Sequence, residues 1–125
     1  MNIALWILQV LLALVFLAHG LLLFFPPAEI AAQLSASLPR WFWLFLGTAE
    51  ILAAVGLTLP GITRILPWLV TWAAGGIMIV MVSATFWHVA RGEFGPAATT
   101  LVLLAMATFL AYQRRATPIL PRRSA

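Results

Sequence analysis

The sequence contains no cysteine, no aspartate and no lysine. The absence of cysteine excludes disulfides, thiol redox chemistry, iron–sulfur ligation and cysteine-bound zinc. The absence of aspartate and lysine excludes Ser-His-Asp triads, lysine Schiff bases and the lysine of a P-loop. Acid or base chemistry therefore depends on two histidines and three glutamates, which are His19, His88, Glu29, Glu50 and Glu93.

Charged residues are scarce, at 8% of the 125 residues, whereas 64% of the residues are apolar. A soluble domain of this length needs far more polar surface to cover its core, and lipid removes that need. The basic residues are all arginines that lie between or after apolar runs: Arg40, Arg64, Arg91, Arg114, Arg115, Arg122 and Arg123. We interpret them as topology signals. Nucleic acid is not expected as a partner, because the aromatic residues lie inside apolar segments and not in exposed basic grooves.

Four apolar segments predict an all-α integral membrane protein, an up-down-up-down four-helix bundle with the lipid bilayer around it. The predicted spans are residues 3–25, 41–59, 66–90 and 95–113. Proline and glycine mark the breaks, and Pro60-Gly61 is expected to end the second span. One membrane domain therefore covers residues 1–113, and residues 114–125 form a basic tail that we expect to be poorly ordered.

Residues 28–38 are too short and too polar to cross a bilayer. Ile30, Leu34 and Leu38 recur every four residues, which predicts a short helix in the interface between spans one and two. Four spans place both termini on one side, together with five arginines, against Arg40 and Arg91 on the other. The positive-inside rule then predicts cytoplasmic termini.

Three ionisable side chains, Glu50, His19 and His88, lie within the predicted spans on three different helices. Such groups cost at least a few kcal/mol in hydrocarbon, so they normally face the bundle interior and often mark function. A carboxyl and two imidazoles can relay protons, hydrogen-bond quinone carbonyls or ligate a metal. The alternative is structural: Glu50 as a neutral acid bonded to a helix carbonyl, and the histidines as interfacial groups wetted by headgroups.

Three further residues share faces with these candidates. Gly47 precedes Glu50 by one turn, Gln9 lies on the stripe of His19, and Thr85 lies on the face of His88. We expect them to support the site by hydrogen bonding or close packing. No metal site is predicted, because the spacing matches no known zinc pattern. A haem between the two histidines is disfavoured, because the chain is small for so large a macrocycle.

Three stretches carry a resemblance to a known family. They are residues 17–20 (LAHG), residues 47–61 (GTAEILAAVGLTLPG), and residues 84–88 (ATFWH) followed by 91–93 (RGE). On these stretches the chain resembles the DoxX-like family of small four-helix bacterial membrane proteins, over residues 3 to about 112. The sequence between residues 47 and 61 is its most distinctive part.

The resemblance implies a location in the bacterial inner membrane and an association with redox chemistry. Some members are similar to the membrane subunit of thiosulfate:quinone oxidoreductases, and others are associated with membrane redox or oxidative-stress systems. Gly47, Glu50 and His88 match the family pattern. Many members have a basic residue shortly after the glycine of span one, but residues 21–25 supply none, which leaves His19 as the candidate partner of Glu50.

Three functional hypotheses follow. The first is a redox-associated or quinone-site membrane subunit that uses Glu50, His19 and His88, with quinone as the candidate cofactor. The second is a structural or assembly subunit of a larger membrane complex, and the third is a small proton-coupled transporter. The partners expected are other membrane redox subunits or further copies of the chain. Replacing Glu50 by glutamine should abolish activity under the first and third hypotheses and affect only folding under the second.

Overall fold

The computed structural model describes residues 2–116, and every regular element in that range is an α-helix. The helices are α1 (Asn2–Phe24), α2 (Ala28–Ser37), α3 (Arg40–Thr63), α4 (Leu69–Ala90) and α5 (Phe94–Ala116). Within the described residues, four of them, α1, α3, α4 and α5, are long and apolar enough to cross a membrane. The predicted all-α, four-helix membrane bundle is confirmed.

The four long helices form a closed ring. Helix α3 packs against α1 and α4, and α5 packs against the same two helices on the other side. Helices α1 and α4 are diagonal, because no Cα atoms of the two come within 8 Å of each other in the described chain. Consecutive long helices are thus neighbours, as an up-down-up-down bundle with short connections requires.

Large apolar side chains occupy both the interior and the outer surface of the bundle. The core is one cluster contributed by all four long helices, with Leu12, Leu57 and Leu110 fully buried at its centre. Large apolar side chains also point outward, and Trp72 and Ile79 are each 71% exposed. A water-soluble protein rarely exposes so large a contiguous apolar area, so lipid is the solvent that fits this surface.

Prolines set the bounds of the short helix α2. Pro26 and Pro27 follow the end of α1, and Pro27 caps α2 with a φ of −56°. The amide of Leu38 donates to the carbonyl of Leu34 at 2.8 Å and closes the helix, and Pro39 caps α3. No residue of α2 is buried, and it packs only on α3 within the described chain. The structure therefore has a short helix at the predicted position.

Helix α3 continues through Pro60-Gly61, where the sequence predicted its end. Proline removes one backbone donor, which membrane helices tolerate when neighbouring groups compensate. Both residues are buried, so packing keeps the helix intact here. The helix ends instead at Arg64, whose φ of 58° is left-handed. Helix α4 begins at Leu69, after Pro67 rather than before it.

Helix α5 also extends beyond its predicted end, to Ala116. Arg114 and Arg115 are therefore helical, in the last turn, where cations interact favourably with the helix dipole. The structure differs here from the expectation of a poorly ordered tail from residue 114 onward. The remainder of that predicted tail, residues 117–125, lies outside the described residues.

Candidate functional site

Two glycines bring α1 and α3 into close contact in the half of the bundle opposite the termini. A Cβ atom built on Gly20 would lie 2.9 Å from the carbonyl oxygen of Gly47, and one built on Gly47 would lie 3.0 Å from the carbonyl oxygen of Gly20. Any larger residue would push the two backbones apart, as in other close crossings of membrane helices. The predicted packing role of Gly47 thus has a specific partner.

The close crossing places His19 against Glu50. His19 directly precedes Gly20, and Glu50 lies one helical turn after Gly47. The Nδ1 atom of His19 is 2.6 Å from the Oε2 atom of Glu50. The Glu50 side chain is only 3% exposed, whereas that of His19 is 51% exposed.

One proton lies between the two atoms, since a nitrogen and an oxygen at this distance form a hydrogen bond. Either an imidazolium donates to a carboxylate, or a protonated carboxyl group donates to a neutral imidazole. In both forms the pair carries no net charge, which reduces the cost of burying it in a medium of low dielectric constant. The pair can therefore hold, accept or pass on a proton within the hydrocarbon region.

His88 lies in a different environment, at the turn between α4 and α5. Its Nδ1 atom is 2.7 Å from Oε2 of Glu93, and the Nε atom of Arg91 donates to Oε1 of the same carboxylate at 3.2 Å. These donors lower the pKa of the Glu93 carboxyl, with His88 as the larger cause. The guanidinium of Arg91 also lies 5.4 Å from the centre of the Trp87 ring. The structure thus brings His19 and Glu50 together and assigns His88 to a separate ion-pair cluster.

Thr85 serves the packing of α4 on α5. Its hydroxyl is 2.7 Å from the carbonyl oxygen of Met81 and 2.8 Å from the hydroxyl of Thr100. When Thr100 accepts from Thr85, its own hydroxyl proton is free to donate to the carbonyl of Ala97. Thr85 therefore links two helices through hydroxyl groups, and its polar contacts in the structure lie on the side of α5.

Gln9 belongs to a second buried polar group, near the termini. Its Nε2 atom donates to the backbone carbonyl of Leu57 at 2.7 Å, and its Oε1 atom accepts from Nε of Arg114. Arg114 is only 3% exposed, and its guanidinium carbon lies 5.6 Å from the centre of the Trp6 ring. This group joins α1, α3 and α5. The sequence analysis did not predict this contact between Gln9 and Arg114. A glutamine within an apolar helix and an arginine at a helix end were the features that could have indicated it.

Glu50 also faces a groove between α3 and α4. The groove has a volume of about 650 Å³, its walls are almost entirely apolar, and it is open on its outer side. Glu50 and Phe16 lie at one end, and Thr63, Ile65 and Leu66 lie at the other. His19 is not among the residues that line it. Glu50 therefore connects two environments: the groove on one side, and the half-exposed imidazole of His19 on the other.

Across residues 2–116, no three His, Cys, Asp or Glu side chains come together in a group that could hold a metal ion. The carboxyl of Glu50 and the half-exposed imidazole of His19 can hydrogen-bond a neutral polar ligand.

The four long helices and the apolar outer surface define an integral membrane protein of the four-helix bundle class. The family model of the DoxX-like family matches residues 7–110. The chain therefore belongs to the DoxX-like family, and the resemblance in its sequence is confirmed. The comparisons with curated proteins and with solved structures give no match.

Proposed function

We propose that this protein is a quinone-site membrane subunit of a redox system, in which Glu50 and His19 bind the quinone headgroup and move protons. The observation that carries the proposal is the position of Glu50. Its carboxyl group is buried and hydrogen-bonded to His19 at 2.6 Å, and Glu50 is among the residues that line one end of an apolar groove. Few polar groups in an otherwise apolar cavity are the usual composition of a site for a lipid-soluble ligand.

The pair has the chemistry that a quinone carbonyl needs. A carbonyl oxygen accepts hydrogen bonds, and the proton held between His19 and Glu50 supplies a donor in either of its two positions. A bound quinone would supply two-electron redox chemistry, with electrons from a partner redox subunit. Once this single proton has passed to the quinone, a carboxylate and a neutral imidazole remain. With its hydrogen on Nδ1, the imidazole donates to the carboxylate through the 2.6 Å bond, and its other nitrogen can then take up the next proton on the exposed side.

Substitutions at Glu50 test the headgroup contact. Glu50→Leu should weaken quinone binding about tenfold, since the lost hydrogen bond between the Glu50 side chain and the quinone headgroup is worth about 1.5 kcal/mol. Glu50→Gln retains a donor of similar shape and should bind within about threefold of the native protein. Quenching of tryptophan fluorescence during quinone titration of the purified protein measures both affinities.

Glu29→Leu is the matched control, because Glu29 is an exposed acid on α2. It should leave quinone affinity unchanged. Native affinity in a folded Glu50→Leu variant would remove Glu50 from the site. A native protein that binds no quinone beyond simple partition into detergent would overturn the proposed function and favour an assembly subunit.

We also propose that the protein lies in the bacterial inner membrane with both termini in the cytoplasm. The arginines at the end of α3 and α5 support this orientation, together with those after residue 116, because cytoplasmic loops carry the excess of basic residues. A reporter active only outside the cytoplasm should be silent when fused after Ala125 and active when inserted between α4 and α5. The reverse pattern would invert the orientation.

A further inference from the structure

The groove between α3 and α4 is long and directional. From Glu50 to Thr63 it follows α3 for about 20 Å at the helical rise of 1.5 Å per residue, which exceeds half of a hydrocarbon core of about 30 Å. It therefore begins near mid-membrane at Glu50 and reaches the end of the bundle that carries the termini. Its volume of about 650 Å³ lies within the range of about 300–1,000 Å³ that is usual for ligand sites.

Small residues create the groove. Helices α3 and α4 approach closely at Gly56, where an added Cβ atom would lie 2.9 Å from Cβ of Ala73. One turn further along α4, a Cβ atom on Gly76 would meet no other atom within 4 Å, although Gly76 lines the groove. The rim is formed by exposed side chains such as Leu52 and Trp72, so in a bilayer the groove opens sideways into lipid.

We propose that this groove holds the isoprenoid tail of the quinone whose headgroup meets Glu50, and that the ligand enters sideways between α3 and α4. This inference rests on the proposed function. The polar group of an amphiphilic ligand belongs at the Glu50 end, because the other end is walled by Ile65 and Leu66. The hydroxyl of Thr63 at that end already donates to the carbonyl of Leu59 at 2.8 Å.

Two adjacent glycines of α4 allow a matched test. Gly75 and Gly76 both have open space where a side chain would begin, but only Gly76 lines the groove. Gly76→Leu should obstruct the tail without disturbing helix packing, and Gly75→Leu adds the same side chain on another face. The probes are a benzoquinone headgroup with a ten-carbon tail and the same headgroup without a tail. Their affinities are compared on the scale of the mole fraction of each probe in the micelle.

For the tailed quinone we expect Gly76→Leu to weaken binding about tenfold, which corresponds to about 1.4 kcal/mol, because the added side chain occupies space that the tail needs. The tail-less quinone should bind equally to the native protein and to both variants. Gly75→Leu should bind both quinones with the affinity of the native protein. Equal binding of the tailed probe to Gly76→Leu and native protein would overturn the tail site.

The design separates this inference from the proposed function. If neither quinone binds the native protein, the proposed function fails and the tail site with it. If the tail-less probe binds and depends on Glu50 while Gly76→Leu has no effect on the tailed probe, only the tail site fails. Occupation of the groove by a phospholipid, with its phosphate near the exposed Arg64, would also overturn the tail site. That result would appear as a co-purifying lipid lost in both Gly76→Leu and Arg64→Gln.

Discussion

Replacing Gly20 by leucine is expected to destabilise the bundle by about 3 kcal/mol or more and to separate His19 from Glu50. The reason is the contact with α3, where even a single Cβ atom would lie 2.9 Å from the backbone oxygen of Gly47 and 2.8 Å from Cγ1 of Ile51. A backbone oxygen cannot rotate away as a side chain can, so the helices must move apart. Reversible unfolding in mixed micelles measures the loss of stability.

Gly75→Leu is the control for this experiment, because the same side chain enters open space on α4. It should change the free energy of unfolding by about 0.5 kcal/mol or less, as exposed substitutions generally do. The Gly20 variant should also lose quinone affinity, because the crossing positions the headgroup site. A folded Gly20→Leu protein with native stability would contradict the close crossing of α1 and α3.

Replacing Arg114 by alanine should cost about 2–4 kcal/mol of stability, although the residue lies in the last turn of α5. Its buried guanidinium donates to Gln9 and lies 5.6 Å from the centre of the Trp6 ring. Charged hydrogen bonds contribute about 1.5–3 kcal/mol, and a desolvated cation–π contact adds up to about 2 kcal/mol. Thermal unfolding of the purified variant measures the effect, with the loss of the monodisperse peak in size-exclusion chromatography as the readout.

Arg115 provides the comparison within the same turn. Arg115 has the same charge as Arg114 and lies in the same last turn of α5, but its side chain is exposed. Arg115→Ala should therefore change the free energy of unfolding by about 0.5 kcal/mol or less. This pair of variants separates burial from charge, because both remove one arginine from the same end of the bundle. Equal effects of the two substitutions would mean that the Gln9–Arg114 contact contributes nothing specific.

The spans could be predicted from the sequence because lipid demands long apolar helices, and this demand is visible in composition alone. The ends of the helices were harder. Pro60 is a strong turn signal in water, but buried within a membrane bundle it remains helical. Arg114 was assigned to a tail because a charged residue after an apolar run usually marks the membrane surface, and only its tertiary partners show that it is buried.

The candidate site was predicted in part. The sequence placed Glu50, His19 and His88 within the predicted spans of three different helices, and the structure joins the first two. Depth does not determine which way a side chain faces or which helices are neighbours. His88 contacts Glu93, five residues further along the chain, and α4 is diagonal to α1. His88 therefore lies apart from the His19–Glu50 pair. The groove was not predicted, because it depends on the spacing between two helices.

The ring of helices has a consequence for biosynthesis. The side chains of Gln9 and Arg114 are 105 positions apart in the chain, yet they close the seam between α1 and α5. The contact can therefore form only after α5 has left the ribosome. Helices α1 and α3 can associate much earlier, with His19 and Glu50 already joined, while the first helix still has one flank open to lipid. Helix α5 thus closes the ring by docking on α1.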